Sequence, residues 1–457
     1  MKNYLAYLNE EPFNTLRDCV NSLGINAYVV GGYVRDLLLG IPSHDIDVVV
    51  EGSGIRFAEE YQRRVGGELK VYESYGTAAV GEVEFVGARK ESYQRGSRNP
   101  IVEEGTLTDD LTRRDFTINA MAISIKDGTL IDLFNGLRDL QNGIIDTPIE
   151  PKTTFTDDPL RMLRAVRFST KLGFRVSDRV LQAITEAHQD IKIIVGERIW
   201  TELEKIMSYP LAANGFFLLH DVGLLGEIIP ELEVLAEQDD NRHKNNLIHS
   251  LQVLGNVVSS GSPSISLRWA ALFHDVGKGP TKRQIDGGWT FYGHDVVGSE
   301  MIPSIFRRLK APLELADYVA LLTKLHMRPQ IIANTEVTDS AIRRLANEVG
   351  PWLGDLLVLS ESDITTKNLE KKQKFLESYQ EVRKKMQDLA ERDYIREFKP
   401  VITGFDIMQI FGLGPGEEVG EIKMIVKEAI LEGTLNNERE TLIDFLHQLK
   451  DKGKPYR

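Results

Sequence analysis

One cysteine, Cys19, is all that a chain of 457 residues contains. A disulfide needs two sulfurs and a thiolate zinc site several, so the sequence has neither an internal disulfide framework nor a cysteine-rich zinc site. Long apolar runs are missing as well: no stretch approaches the ~20 residues of a membrane-spanning helix. The opening MKNYLAYLNEEPF has neither a charged leader nor an apolar signal core, so the expected location is the cytoplasm and no membrane contact is expected. Basic residues are outnumbered, 55 Lys and Arg against 68 Asp and Glu, giving a net charge of −13 and a pI near 5.3. In bulk that balance disfavours a nucleic-acid binder, because phosphate backbones attract Lys and Arg. Distribution can override the total, and here the arginines gather at a few places. Repeats and low-complexity tracts are absent. The remaining composition, 42% hydrophobic and 27% charged, is that of a globular protein.

From Ala27 to Asp146 the chain is punctuated by glycine and carries strand-like segments: AYVVGG, DIDVVVEG, GTAAVGEVEFVGAR, MAISIKDG and LIDLF. After TPIEPKTTFTDDP the pattern turns helical, with Asp158 and Pro159 reading as a cap followed by a first-turn proline. LAEQDDNRHKNN reads as a solvated linker. A second helical region runs from about Leu247 to Thr366, broken by QIDGGWTFYGHD. A highly charged helix, KNLEKKQKFLESYQEVRKKMQDLAERDYIREF, then leads to a small C-terminal part. The expected division is residues 1–146, 147–240, 241–366 and 367–457.

Three constellations stand out in the first half. In VVGGYVRDLLLGIPSHDIDVVV, strand alternation turns Asp45 and Asp47 to one side and Ile46, Val48 and Val50 to the other. Two like charges side by side are costly unless a cation sits between them. Mg²⁺, a hard ion that prefers carboxylate and phosphate oxygens, is the natural occupant. Upstream, Gly31 and Gly32 close a strand before a helix, leaving backbone N–H groups for a triphosphate, and Arg35 offers a cationic fork. Glu84, in the otherwise apolar EVEFVGARKE, is the candidate third acid. The second constellation is TRRDFTINAMA, where Arg113, Arg114 and Asp115 precede an apolar segment carrying Asn119; Arg114 suits phosphate, and Asp115 and Asn119 suit a sugar. Its structural alternative is a capping Asp115 and a backbone-satisfying Asn119. The third is DDPLRMLRAVRF, where Asp158, Arg161, Arg164 and Arg167 recur every three residues without acids four positions away to balance them. Unbalanced positive charge on an acidic protein suggests an anionic ligand.

Taken in order, GGYVRD, DID, RRDFTINA, DLFNGLRDL and DDPLRMLRAVRF resemble the class II tRNA nucleotidyltransferases, whose fullest form is the CCA-adding enzyme and whose fold bacterial poly(A) polymerases share. The resemblance covers about residues 25 to 235. It implies an α/β (α+β) head of DNA polymerase β type followed by a mostly α-helical neck, body and tail. It also implies template-independent addition of C, C and A to the 3′ end of tRNA from CTP and ATP, with Gly32, Arg35, Arg114, Arg161, Arg164 and Arg167 on the nucleotide and Asp45 and Asp47 on Mg²⁺. A templating role for Asp158 and Arg161 makes chemical sense. A carboxylate accepts from the exocyclic amine of cytosine or adenine and a guanidinium donates to the neighbouring ring acceptor, whereas uracil and guanine would place an oxygen against the carboxylate. An unpaired buried polar contact of that kind costs about 1–3 kcal/mol. Asp157 stands where the family usually has glutamate. RKESYQRGSRNPIVEEGTLTDDL resembles the flexible loop that full CCA addition requires. The chain end, FLHQLKDKGKPYR, lacks the strongly basic tail more typical of a poly(A) polymerase.

Farther along, His249, His274 with Asp275, His294, His326 and Asp363 form a spaced series. An acid beside an imidazole on an apolar segment is poorly tolerated without a partner, and a divalent transition metal or Mg²⁺ would be one. The order H…HD…H…H…D resembles the HD phosphohydrolase superfamily over about residues 245 to 366. That resemblance implies one ion on His249, His274, Asp275 and Asp363, a second aided by His294 and His326, and Lys278 near the phosphate. Beside CCA addition, three other readings remain: a poly(A) polymerase or partial-specificity relative, a metal-dependent phosphohydrolase acting on nucleotides or cyclic phosphates, and a non-catalytic tRNA binder. No obligatory protein partner is evident.

Overall fold

Alternating apolar side chains in VVV and VEFV build a sheet whose two faces carry different cargo. The computed structural model describes residues 3–73, 76–92, 101–236, 245–285, 288–334, 338–366, 368–393 and 400–452. In chain order the first elements are α1 (Phe13–Leu23), β1 (Ala27–Val30), α2 (Gly32–Leu39), β2 (Ile46–Val50), α3 (Gly54–Val65), β3 (Leu69–Tyr72), β4 (Thr77–Val80) and β5 (Val83–Gly87). There follow β6 (Arg89–Ser92), β7 (Ile101–Glu104), α4 (Leu107–Thr112), β8 (Met121–Ser124), β9 (Leu130–Asp132), α5 (Gly136–Asn142), α6 (Pro151–Asp157), α7 (Leu160–Leu172), α8 (Asp178–Ala187) and α9 (Gly196–Ser208). Seven strands form one sheet in the order β3-β4-β5-β2-β1-β8-β9. β2 and β5 run parallel, and the other neighbours are antiparallel.

On one face, Phe57 and Tyr61 of α3 pack their rings 5.7 and 5.3 Å from Phe85. These three are buried, and each fully buried aromatic of this size contributes roughly 1.5–3 kcal/mol relative to exposure. On the other face Val30, Val49 and Ala122 meet Leu107 and Leu111 of α4. Asp47 belongs to this second face, two residues before Val49, so α4 is the element that reaches the acids. Two expectations shift slightly: β2 begins at Ile46, so Asp45 is the residue just before it, and Gly32, expected to close the strand with Gly31, instead opens α2. The polar insert expected as a loop is an antiparallel ladder at its ends, 89–92 against 101–104. Its middle, residues 93–100, lies outside the described residues, as do 237–244 of the expected linker. Pro159 caps α7 and Leu160 opens it.

The chain divides into two compact units, Met1–Glu233 and Val234–Arg457. In the second, Trp269 and Phe273 of the helix Ile265–Phe273 stack against Phe306 of the helix His294–Leu309, with centroids 5.4–6.2 Å apart. The helix Leu369–Asp393, expected as a highly charged helix, buries Tyr379 and Val382 against Ile342 and Leu357. Three C-terminal helices, Gly404–Phe411, Glu417–Leu431 and Arg439–Asp451, close on Ile407, Ile422, Val426, Leu442 and Leu446. Among the described residues no helix is long and apolar enough to cross a membrane.

Candidate active site

The turn from β1 into α2 is shaped by Gly31, whose φ of +70° is a conformation side chains other than glycine rarely adopt. A Cβ at that position would also meet Arg114 Nη1 at 2.8 Å and Asp47 Oδ2 at 3.3 Å. The backbone, the guanidinium and the carboxylate are therefore in near contact. The first turn of α2 turns free backbone N–H groups towards this spot, as any helix start does. Register sets the acids: Asp47 lies opposite Val30 on one side and Glu84 on the other. Asp45 and Glu84 are exposed. Burial pushes Asp47 up to about 6; Arg114 pulls it down, while Asp45, Glu84 and Asp110 push it further up. Crowded carboxylate oxygens of this kind suit a hard divalent cation, and Asp45 and Asp47 fit Mg²⁺ as its protein ligands.

Arg114 is held from below. Asp110, fully buried, accepts from Arg114 Nε and Nη2 at 3.1 and 2.9 Å and also from Arg113. Despite that burial, the two guanidiniums keep its carboxyl below the usual range. Sequence reasoning missed Asp110, although its spacing of three and four before the arginine pair on a helix was the available signal.

The other nucleotide-binding candidates form a connected network. Arg35 is buried and points its fork at its own neighbour, with Nε and Nη2 each 2.8 Å from Asp36, while Nη1 donates to Asn119 Oδ1 at 2.7 Å. The expected free fork for phosphate is thus already engaged. Asn119 donates to Asp115 at 3.0 Å, and Arg164 donates to the same carboxylate at 2.8 and 2.5 Å. Burial opposes the Asp115 charge, but Arg164 and Asn119 outweigh it and hold the group low. Arg167 reaches the buried Glu202 of α9 at 2.6 Å. Asp158 accepts from Arg198 at 3.0 Å and from the Leu160 N–H at 3.1 Å. Arg161 donates to the carbonyls of Arg113 (2.7 Å) and Thr154 (3.4 Å). Phe168 lies among Arg35, Arg164 and Arg167, with guanidinium carbons 5.2, 5.5 and 4.2 Å from its ring centre.

The reading of α7 as carrying unbalanced charge is therefore corrected. Arg164 and Arg167 are balanced by Asp115 and Glu202, acids 49 and 35 positions away in sequence, which a search restricted to one helix cannot see. Arg198 and Glu202 were likewise missed. An acid among Ile199, Leu203 and Ile206 on the buried side of α9 was the signal for Glu202.

The second unit brings its predicted residues together. The helix expected to carry His274 and Asp275 ends at Phe273, and the pair follows immediately. His249 Nε2 is 2.8 Å from Asp363 and 3.4 Å from Asp275, and His274 Nε2 is 3.2 Å from Asp275. His294 and His326 bring Nε2 to 3.3 and 3.7 Å from the other Asp275 oxygen. Lys278 Nζ is 2.5 Å from the same carboxylate. His274, His294 and His326 each hold Nδ1 against a backbone carbonyl, of Ala271, Phe291 and Thr323, at 2.8, 2.9 and 2.6 Å. A carbonyl only accepts, so Nδ1 carries a hydrogen and Nε2 is the atom turned inward, offering a lone pair to a metal in the deprotonated ring. Burial opposes charge on His274, yet Asp275 and Asp363 push it up to about 10; the carboxylates draw in positive charge. Ligand atoms of His249, His274 and Asp363, and of His274, Asp275 and His326, lie within 4.8 Å of one another. This donor set fits a divalent metal.

Comparison with known proteins points one way. A family model described as "Poly A polymerase head domain" matches residues 27–146, "Probable RNA and SrmB- binding site of polymerase A" matches 173–235, and a model of tRNA nucleotidyltransferase domain 2 matches 287–446. The Multifunctional CCA protein of Aromatoleum aromaticum is 34% identical over 340 residues, covering 70% of this chain and 81% of the relative. The Bacillus stearothermophilus CCA-adding enzyme in complex with CTP superposes with a TM-score of 0.67 at 25% identity, covering 97% of this chain and 98% of that one. The Thermotoga maritima CCA-adding enzyme complexed with tRNA shares the fold, with a TM-score of 0.63 at 23% identity over 98% of this chain and 99% of that one.

Proposed function

Because the chain belongs to the family of CCA-adding tRNA nucleotidyltransferases, we propose that it extends the 3′ end of tRNA with C, C and A, using CTP and ATP and releasing pyrophosphate. The observation that carries the site assignment is the grouping of Asp45 and Glu84 about Asp47, whose carboxylate meets Arg114 at the Gly31 turn. The tRNA 3′-hydroxyl attacks the α-phosphorus in line with the departing pyrophosphate. Mg²⁺ held by Asp45 and Asp47 would neutralise charge on the triphosphate and on the attacking and leaving oxygens. Arg114, braced by Asp110, meets the phosphates together with the N–H groups at the start of α2. Glu84, beside Asp47 in register, completes the acids on the side of the hydroxyl. Asp158 and Arg161 read the base edge, Asp158 oriented by Arg198 and Arg161 by two carbonyls. Arg35, Asp115, Asn119, Arg164 and Arg167 fix the wall of the pocket around Phe168. The division into head, neck, body and tail at residues 146, 240 and 366 belongs to the same proposal, as does a cytoplasmic location.

Labelled CTP alone, ATP alone and both together, supplied to tRNAs ending before CCA, after C and after CC, test the reaction. Three nucleotides in the order C, C, A are expected. Label that never enters the RNA removes the proposal, and an unlimited run of A replaces it with poly(A) synthesis. Asp45→Ala should lower incorporation at least a hundredfold while tRNA binding persists.

A second reading is favoured by the four inward Nε2 atoms around Asp275 and Asp363: a divalent-metal centre that hydrolyses phosphoesters. Mn²⁺ added after chelator treatment should raise the melting temperature of the wild type by more than that of His274→Ala, which keeps only the carboxylate site of the first unit. An equal rise in both would place the metal elsewhere.

A further inference from the structure

Lys171 is the last cation of α7, and it stands beside the network that engages Arg35, Arg164 and Arg167 without being bonded into it. It follows Arg164 by seven residues, two helical turns, and so lies on the same side of the helix. From Arg161 it is ten residues farther along, about 15 Å at the rise of an α-helix. Its Nζ crosses to α2, where it is 3.9 Å from Asp36 Oδ2. That separation is too long for a hydrogen bond. Arg35 already occupies the Asp36 carboxylate, with Nε on one oxygen and Nη2 on the other, each at 2.8 Å. Among the described residues no other carboxylate comes within ion-pair reach of Lys171, and its side chain is 32% exposed.

The charge around this lysine is positive on balance. Burial, Arg35 and Arg167 press its ammonium below the usual range, and Asp36 alone holds it up. Glu202, the acid opposite Arg167, is itself shared with Lys205 at 3.7 Å. An ammonium set between two guanidiniums, with its nearest acid already taken, is short of an anion. A mere strut between α7 and α2 would close to contact, as Arg167 does on Glu202 at 2.6 Å.

Two polyanions come to this site, the triphosphate and the RNA end, and position favours the first. The start of α2 offers its N–H groups to the phosphates, and Asp36 ends the first turn of that same helix. The base edge is met at the opposite end of α7. A nucleoside triphosphate laid between the two covers a length comparable to that separating Arg161 from Lys171. We propose that Lys171 contacts the β- and γ-phosphates of bound CTP or ATP and stabilises the pyrophosphate as it leaves. Its ammonium exchanges the long approach to Asp36 for charge-assisted hydrogen bonds to phosphate oxygens. It stays protonated throughout and forms no covalent bond. The inference rests on reading the first unit as a nucleotidyltransferase.

The test is steady-state incorporation by the full chain on tRNA ending before CCA, comparing wild type, Lys171→Met and Lys171→Arg. Pyrophosphate and CMP serve as inhibitors competing with CTP. The first reports the phosphate tail, the second the base, sugar and α-phosphate. In Lys171→Met the KM for CTP and the inhibition constant of pyrophosphate should both rise about ten- to hundredfold. The inhibition constant of CMP and the KM for tRNA should stay unchanged, and Lys171→Arg should recover most of the loss. A displaced α7 would move CMP as far as pyrophosphate, and that outcome overturns the inference. So does an unchanged Lys171→Met, and so does a raised KM for tRNA with pyrophosphate inhibition intact, which puts the lysine on the RNA. A wild type that incorporates nothing removes the nucleotidyl-transfer reading itself, and this inference with it.

Discussion

Asp47 works against its own fold. Its carboxyl is raised to about 6 by burial and by neighbouring acids, so the ionised form needed to hold a cation is the less comfortable one in the folded chain. A group whose folded pKa is raised contributes stability that is present below its unfolded value, near 3.8, and is lost as pH climbs through about 6. A rise of that size amounts to about 3 kcal/mol at neutral pH. Asp47→Asn should therefore melt several degrees above the wild type at pH 7.5 in chelator, and the gap should close near pH 4, where both side chains are neutral. Incorporation should fall at least a hundredfold. Identical melting curves at pH 7.5 would show that the acids carry no such cost. The acid pair was legible because a period of two places both side chains on one sheet face. Asp110 was less so: its charge resembles any helix-surface acid until the fold buries it under Arg113 and Arg114.

At the scale of elements, α7 and α9 act as one device. Arg167 of α7 meets Glu202 of α9, and Arg198 of α9 meets Asp158, two residues before α7 begins, so the two segments are tied by two ion pairs. Removing one partner of a buried pair leaves the other charge uncompensated, at a typical cost of 3–5 kcal/mol, whereas replacing both by apolar groups is often neutral. Glu202→Gln should lower stability by about 3 kcal/mol in urea titration, and adding Arg167→Met should recover most of it without restoring nucleotide addition. Failure of the second change to rescue the first would separate the two residues. The helix pattern of α7 was readable from its sequence, but its electrostatics were not. Charge balance between helices depends on pairings that only the tertiary fold creates, and 35 residues separate this pair. Likewise the ladder of β6 and β7 was hidden because RKES is polar throughout and IVEE sets its two apolar residues side by side, so neither alternates in hydrophobicity.

The molecule as a whole keeps two cores, one around the sheet and one around Trp269, Phe273 and Phe306 with its C-terminal companions. Chains with two cores commonly depart from all-or-none unfolding. A metal that binds only the native histidine cluster stabilises by mass action, so the Mn²⁺-induced rise should belong to one of two calorimetric transitions. A single transition moving in one piece would mean that the units unfold together. The family and head architecture were readable from five short motifs, and the six residues that the second unit brings together were picked out from their order alone. The grip on RNA was not: a net charge of −13 hides where phosphate is met, and the arginines that looked available prove to be engaged within the fold.

The closeness of Gly31, Arg114 and Asp47 has a consequence for how this chain can vary. The volume a methyl group would take at position 31 is already filled by a guanidinium nitrogen, so neither position can drift alone. A heavier residue at 31 demands a shorter one at 114, and the shorter one surrenders the charge opposite Asp47. The three sites therefore constitute a locked combination, reachable from elsewhere only by simultaneous steps, and substitutions at one are expected to be strongly epistatic with the other two.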